Sequence, residues 1–166
     1  MSAVASAPPS EGVAMVVDGE TRVVAEGSVA KDLLTVLRDE LDSLAPKEGC
    51  GTGVCGACTV LLDGEPVAAC TVLAGDAAGC EIATAATVST GQGADVAECL
   101  RLAGGIQCGF CSPGFVVSIT ALLERSPAAS DTEARWALAG NLCRCTGYGR
   151  ILAAVRMVQE RRGQAS

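Results

Sequence analysis

Eight of the ten cysteines in this 166-residue chain fall into two sets of four. Cys50, Cys55, Cys58 and Cys70 are spaced C-x4-C-x2-C-x11-C, and Cys108, Cys111, Cys143 and Cys145 are spaced C-x2-C-x31-C-x-C. Four thiols at such spacings suit the gripping of a compact metal centre, because the thiolate is both the nucleophile and the metal ligand of cysteine. The chain has no histidine, which removes mixed cysteine-histidine zinc sites, histidine-based triads and Rieske-type ligation. No export signal is visible at the N-terminus, so a reducing, cytoplasmic setting is expected, where close cysteines read as ligands rather than disulfides.

In the first set, C-x4-C-x2-C with a distant fourth cysteine follows the plant-type two-iron ferredoxin spacing. Glycines 49, 51, 53 and 56 let the loop wrap tightly and turn backbone N–H groups toward sulfur acceptors. A structural zinc site would use two paired knuckles, whereas here three candidate ligands fall within nine residues. The second set is less specific by itself, since two cysteine pairs could hold zinc, although C-x-C makes a strained knuckle. Its cysteines are expected just before two helix N-termini, where the dipole favours negative charge. Cys80 and Cys99 lie outside both sets and read as small buried apolar residues. Arg144, between two of the cysteines, suits charge compensation or docking, and Gln107 is the neutral polar residue directly before the second set.

The elements that must position these residues change period along the chain. Residues 1–12, with Ala7-Pro8-Pro9-Ser10, read as a disordered lead-in. Val13 to Val17 and Thr21 to Val24 flank Asp18-Gly19, and Thr59 to Leu62 and Val67 to Cys70 flank Asp63-Gly64, which predicts two hairpins. Between them, Ser28 is a candidate cap for a helix carrying Leu33, Leu37 and Leu41, and Glu81 to Thr84 is a last short strand. Beyond residue 88 the period becomes helical. Helices are expected from Ala94 to Gly104-Gly105, from a Ser112 cap with Pro113 in the first turn through Leu123, from the Ser130 to Glu133 capping box through Ala139, and around Ile151, Val155 and Val158. A small mixed sheet with one helix over residues 13–88, followed by a four-helix unit over 89–162, is thus an α+β chain.

Net charge is -7, which argues against a nucleic-acid partner. The chain is 49% apolar, yet no run approaches the about eighteen apolar residues that a membrane span requires. Apolar helix faces left over from core packing are therefore expected to dock on another protein. No general base, nucleophile or oxyanion constellation is present, so substrate chemistry is not expected on this chain.

Cys50-Gly51-Thr52-Gly53-Val54-Cys55-Gly56-Ala57-Cys58 with Cys70, Gln107-Cys108-Gly109-Phe110-Cys111-Ser112-Pro113-Gly114, and Gly140-Asn141-Leu142-Cys143-Arg144-Cys145-Thr146-Gly147-Tyr148 closely resemble the iron-sulfur subunit of the xanthine dehydrogenase family of molybdenum hydroxylases. That family includes xanthine and aldehyde oxidoreductases, N-heterocycle hydroxylases and aerobic carbon monoxide dehydrogenase. The resemblance implies an N-terminal β-grasp ferredoxin domain and a C-terminal four-helix domain, each holding a 2Fe-2S cluster on its four cysteines. It implies a large partner subunit with a molybdenum pyranopterin, a medium partner with FAD, and a dimer of such heterotrimers. Electrons would pass from molybdenum through the cluster of Cys108, Cys111, Cys143 and Cys145, then that of Cys50, Cys55, Cys58 and Cys70, to the flavin. Gln107 would hydrogen-bond the pterin, and Cys145 would lie on the contact route to it. Two departures stand out. Thr84-Ala85-Ala86-Thr87 lacks the acid of the family's Thr-x-Glu-Gly segment, which bears on the inter-domain contacts, and the Gly51 to Val54 loop differs from the carbon monoxide dehydrogenase form, which points toward an N-heterocycle, purine or aldehyde substrate. The competing readings are a carbon monoxide dehydrogenase small subunit, a free-standing two-cluster ferredoxin with a polar helical surface, and a zinc-bound interaction module.

Overall fold

A computed structural model describes residues 12–164. Two hairpins form where Asp-Gly pairs close them. Strands β1 (Gly12–Val17) and β2 (Glu20–Ala25) pair antiparallel with Val17 opposite Glu20, and β3 (Thr59–Leu62) pairs with β4 (Glu65–Ala68) with Leu62 opposite Glu65. Both two-residue turns need left-handed backbone, and Asp18, Gly19, Asp63 and Gly64 all have positive φ. β5 (Glu81–Ala83) lies between the hairpins, parallel to β1 and antiparallel to β3, giving a mixed sheet of order β2-β1-β5-β3-β4. The disordered lead-in expected over residues 1–12 lies outside the described residues except for Gly12, which is already paired with Ala25.

The helix crossing this sheet departs from expectation. Asp32, not Ser28, caps it, accepting the Thr35 N–H at 2.9 Å. Ser28 ends a 3-10 turn, is buried, and donates its hydroxyl to the Glu40 carboxylate at 2.8 Å. The helix is short: α1 (Leu33–Thr35) widens into a π-helical turn over Val36–Glu40. Leu33, Leu34, Val36 and Leu37 are buried with Met15, Val24, Val60 and Ile82 in one apolar cluster, and Leu41 lies at its edge.

All further regular elements among the described residues are helices: α2 (Ala85–Val88), α3 (Ala94–Leu102), α4 (Ser112–Arg125), α5 (Asp131–Ala137) and α6 (Gly149–Gln164). The chain is therefore α+β. A second apolar cluster gathers Phe115, Val117, Ile119 and Leu123 of α4 with Val96 and Leu100 of α3 and Ile151, Val155 and Val158 of α6. Leu61 of β3 and Ala85 and Val88 of α2 also join it, so the sheet and the helices share a packed seam. The capping box of Ser130 and Glu133 is formed, although α5 stops at Ala137. Ser112 is not a cap: Cys111 occupies the cap position of α4, and Ser112 and Pro113 are its first two helical residues. Thr84 is held by Asp18 of the first hairpin. The Asp18 carboxylate accepts the Thr84 N–H at 2.7 Å and hydroxyl at 2.8 Å, fixing the exit from β5 into α2.

Candidate metal centres

The first cysteine loop runs from Pro46 into β3. Gly53, at φ +76°, aims its N–H at the Cys70 sulfur at 3.2 Å, which ties the loop to the segment seventeen residues on. Cys70 is not on the hairpin strand, as expected from the sequence, but in the 3-10 turn Ala69–Thr71 that follows β4. Cys50 accepts the N–H groups of Thr52 and Cys55, each at 3.4 Å. These amides, Thr52 first, stabilise its thiolate and bring its pKa down to about 6. Cys58 is buried beneath the loop, and burial pushes its thiol up to about 11. The backbone N–H to sulfur contacts expected of the glycine loop are thus present at Cys50 and Cys70.

The second set has an outer and an inner pair. Cys108 and Cys145 are exposed, with sulfurs 3.7 Å apart. Two thiolates on one tetrahedral metal stand about 3.8 Å apart for metal–sulfur bonds of about 2.3 Å. Cys111 is half-buried and Cys143 buried; burial and then the facing Cys143 raise the Cys111 thiol to about 12. Burial alone would also raise Cys143, but the hydroxyl and amide of Thr146 reverse this and lower it. Among the described residues no three Cys, Asp or Glu side chains converge as the ligands of a single ion would. In the second set the thiols face one another as Cys108 with Cys145 and Cys111 with Cys143.

Gln107 is exposed and donates its amide N–H to the Cys145 carbonyl at 3.3 Å, so the two residues implicated at the pterin sit together. Arg144 is exposed between the pairs. Cys99 is fully buried in the helical core, as expected. Cys80 is only half-buried, its thiol facing the carbonyls of Asp76 and Ala78, and does not join either set.

The two sets meet at a junction that spacing alone does not reveal. The Leu142 N–H donates to the Cys55 carbonyl at 2.9 Å, and buried Asn141 donates its side-chain amide to the Gly56 carbonyl at 3.1 Å. Gly56, at φ +65°, has no room for a side chain, since a Cβ would stand 2.4 Å from the Gly140 carbonyl. Gly114 of α4 is equally closed, a Cβ there meeting the Gly56 carbonyl at 2.1 Å. Asn141, Gly56, Gly114 and Thr146 thus carry positional roles that the cysteine pattern missed; the glycines flanking these segments were the available signal.

Comparison with known proteins agrees with this geometry. A family described as a 2Fe-2S iron-sulfur cluster binding domain matches residues 12–96, and another described as a 2Fe-2S binding domain matches residues 84–156. The chain is 44% identical over 146 residues to the nicotinate dehydrogenase small FeS subunit of Eubacterium barkeri, covering 87% of this chain and 92% of that subunit. It is 44% identical over 125 residues to the xanthine dehydrogenase iron-sulfur-binding subunit of Escherichia coli O157:H7, covering 74% and 79% respectively. Its fold matches a chain of the crystal structure of quinoline 2-oxidoreductase from Pseudomonas putida 86 with a TM-score of 0.81 and 37% identity, over 92% of this chain and 97% of that one. With two cluster-binding domains in series and relatives of this kind, the chain belongs to the small iron-sulfur subunits of the xanthine dehydrogenase family of molybdenum hydroxylases and is an electron-handling rather than substrate-converting part of an oxidoreductase.

Proposed function

We propose that this subunit relays electrons between a molybdenum pyranopterin in a large partner subunit and FAD in a medium partner subunit, through one 2Fe-2S cluster on Cys108, Cys111, Cys143 and Cys145 and a second on Cys50, Cys55, Cys58 and Cys70. The observation that carries this is the two-sided form of the second thiol set. Its outer edge, Cys108 and Cys145 with Gln107, is exposed, while its inner side abuts the first set through the Leu142 to Cys55 hydrogen bond. A centre with one open edge and one edge joined to another centre is suited to pass electrons inward. In this reading Gln107 hydrogen-bonds the pterin, and Cys145 lies on the route to it. Bound there, a cluster would supply one-electron chemistry; the chain's share is to hold the thiolates, present N–H donors to them and keep water from the buried sulfurs.

We propose a β-grasp domain over residues 13–88 and a four-helix domain over 89–162; α2 belongs to both in packing, since Ala85 and Val88 lie in the helical core. An N-heterocycle, purine or aldehyde is proposed as the substrate of the whole enzyme, in line with relatives described as nicotinate dehydrogenase, xanthine dehydrogenase, quinoline 2-oxidoreductase and aldehyde oxidoreductase. The assembly is proposed as a dimer of heterotrimers in the cytoplasm. Purification of the native complex with metal and flavin analysis tests the relay: molybdenum and FAD should accompany this chain, and a chain isolated without either would overturn the reading.

A further inference from the structure

We infer that Thr146 sets the reduction potential of the cluster on Cys108, Cys111, Cys143 and Cys145, its hydroxyl aimed at the Cys143 sulfur by a hydrogen-bonded ring closed through Tyr148; the inference rests on the relay reading above. The Thr146 hydroxyl lies 3.1 Å from the Cys143 sulfur and 3.2 Å from the Tyr148 N–H. An amide N–H only donates, so the Thr146 oxygen must accept from Tyr148, and its own hydrogen is left to point at sulfur. The ring closes where the Tyr148 phenol oxygen accepts the Cys143 N–H at 3.0 Å. Orientation of the hydroxyl is thus fixed from both ends of the turn.

Two consecutive left-handed residues carry the turn in which this ring lies. These are Gly147 and Tyr148, at φ +61° and +66°, and a bulky side chain in that region is uncommon. Tyr148 is held there by an edge-on contact with the Phe115 ring, centroids 6.4 Å apart, at the margin of the helical core.

A hydrogen bond donated to a ligand sulfur stabilises the reduced cluster, which carries one more negative charge, more than the oxidised one. Thr146 therefore raises the potential of this cluster and favours electron arrival at it. The test is a redox titration of the intact complex followed by EPR, comparing wild type with Thr146→Val and Thr146→Ser. Thr146→Val should lower the midpoint of one cluster by about 59 mV, a tenfold shift in its one-electron equilibrium. Thr146→Ser should keep the wild-type midpoint, and the other cluster should be unmoved in both. An unchanged midpoint in Thr146→Val, equal shifts in the Val and Ser variants, or a shift of both clusters would overturn the assignment. If valine prevents cluster assembly, Thr146→Ala reads the same quantity without the extra methyl, and loss of the cluster there too would show a structural role instead. Absence of two 2Fe-2S signals in the wild-type complex would overturn the relay itself and the inference with it.

Discussion

Cys145 and Asn141 show how differently single residues contribute here. Cys145 is exposed and faces Cys108, so in the proposed relay its loss should remove a cluster ligand without disturbing the fold. Cys145→Ser is expected to abolish or alter the EPR signal of one cluster, leave the other signal intact, and bring turnover with a flavin-linked acceptor to near background; unchanged turnover would contradict the proposed wiring. Asn141 is buried and its amide joins the two loops through Gly56. Asn141→Ala should cost about 1–2 kcal/mol for the lost hydrogen bonds, read as a lowered thermal midpoint. Gly56→Ala should cost more, about 3 kcal/mol, because the left-handed backbone penalty adds to the contact with the Gly140 carbonyl. If Gly56→Ala were as stable as wild type, the junction would not be closely packed in solution.

At the scale of elements, α3 and α6 are tied by Arg162, whose guanidinium donates to the Asp95 carboxylate at 2.7 Å and reaches Glu124 of α4 at 3.2 Å. Hydrogen bonding to Arg162, the largest cause, holds the Asp95 carboxyl below its ordinary range against the opposing effect of burial. The folded chain therefore binds this proton more weakly than the unfolded chain. The stabilisation is complete above the unfolded value, about 3.9, and is lost as pH falls through the lower folded value. Asp95→Asn should lower stability by about 1 kcal/mol at pH 7, both side chains being partly solvated, and the difference from wild type should shrink in denaturant titrations below pH 4. An equal difference at pH 7 and at pH 3 would mean that packing, not charge, links the helices. The short α1 is the element that sequence periodicity described least well. Leu33 and Leu37 do face the core, but the turn widens to π form, so the regular stripe ends before Leu41.

For the whole molecule, the family assignment predicts four irons and four acid-labile sulfides per chain, two of each for each 2Fe-2S domain. Zinc in place of iron would contradict it. The exposed large apolar side chains are not the leftover helix faces that composition suggested. Apart from Leu102 and Trp136, they lie on strands and loops, and Val54, Phe110 and Leu142 fall on or beside the cysteine segments. Among the described residues no helix is long and apolar enough to cross a membrane.

The ligand candidates, the two Asp-Gly hairpins and the α5 capping box were legible in the sequence because each depends on residues close together in the chain, where spacing and side-chain type decide the local geometry. The order β2-β1-β5-β3-β4 was not, since pairing β5 between β1 and β3 depends on which apolar faces meet. Nor was the contact between the two cysteine sets. Cys55 and Leu142, Gly56 and Asn141, and Gly56 and Gly114 are far apart in the chain and come together only when β3 packs on α4. The sequence by itself determined what the protein binds; the tertiary packing decided that its two centres share one hydrogen-bonded junction, because only a shared core brings such distant backbone groups within reach.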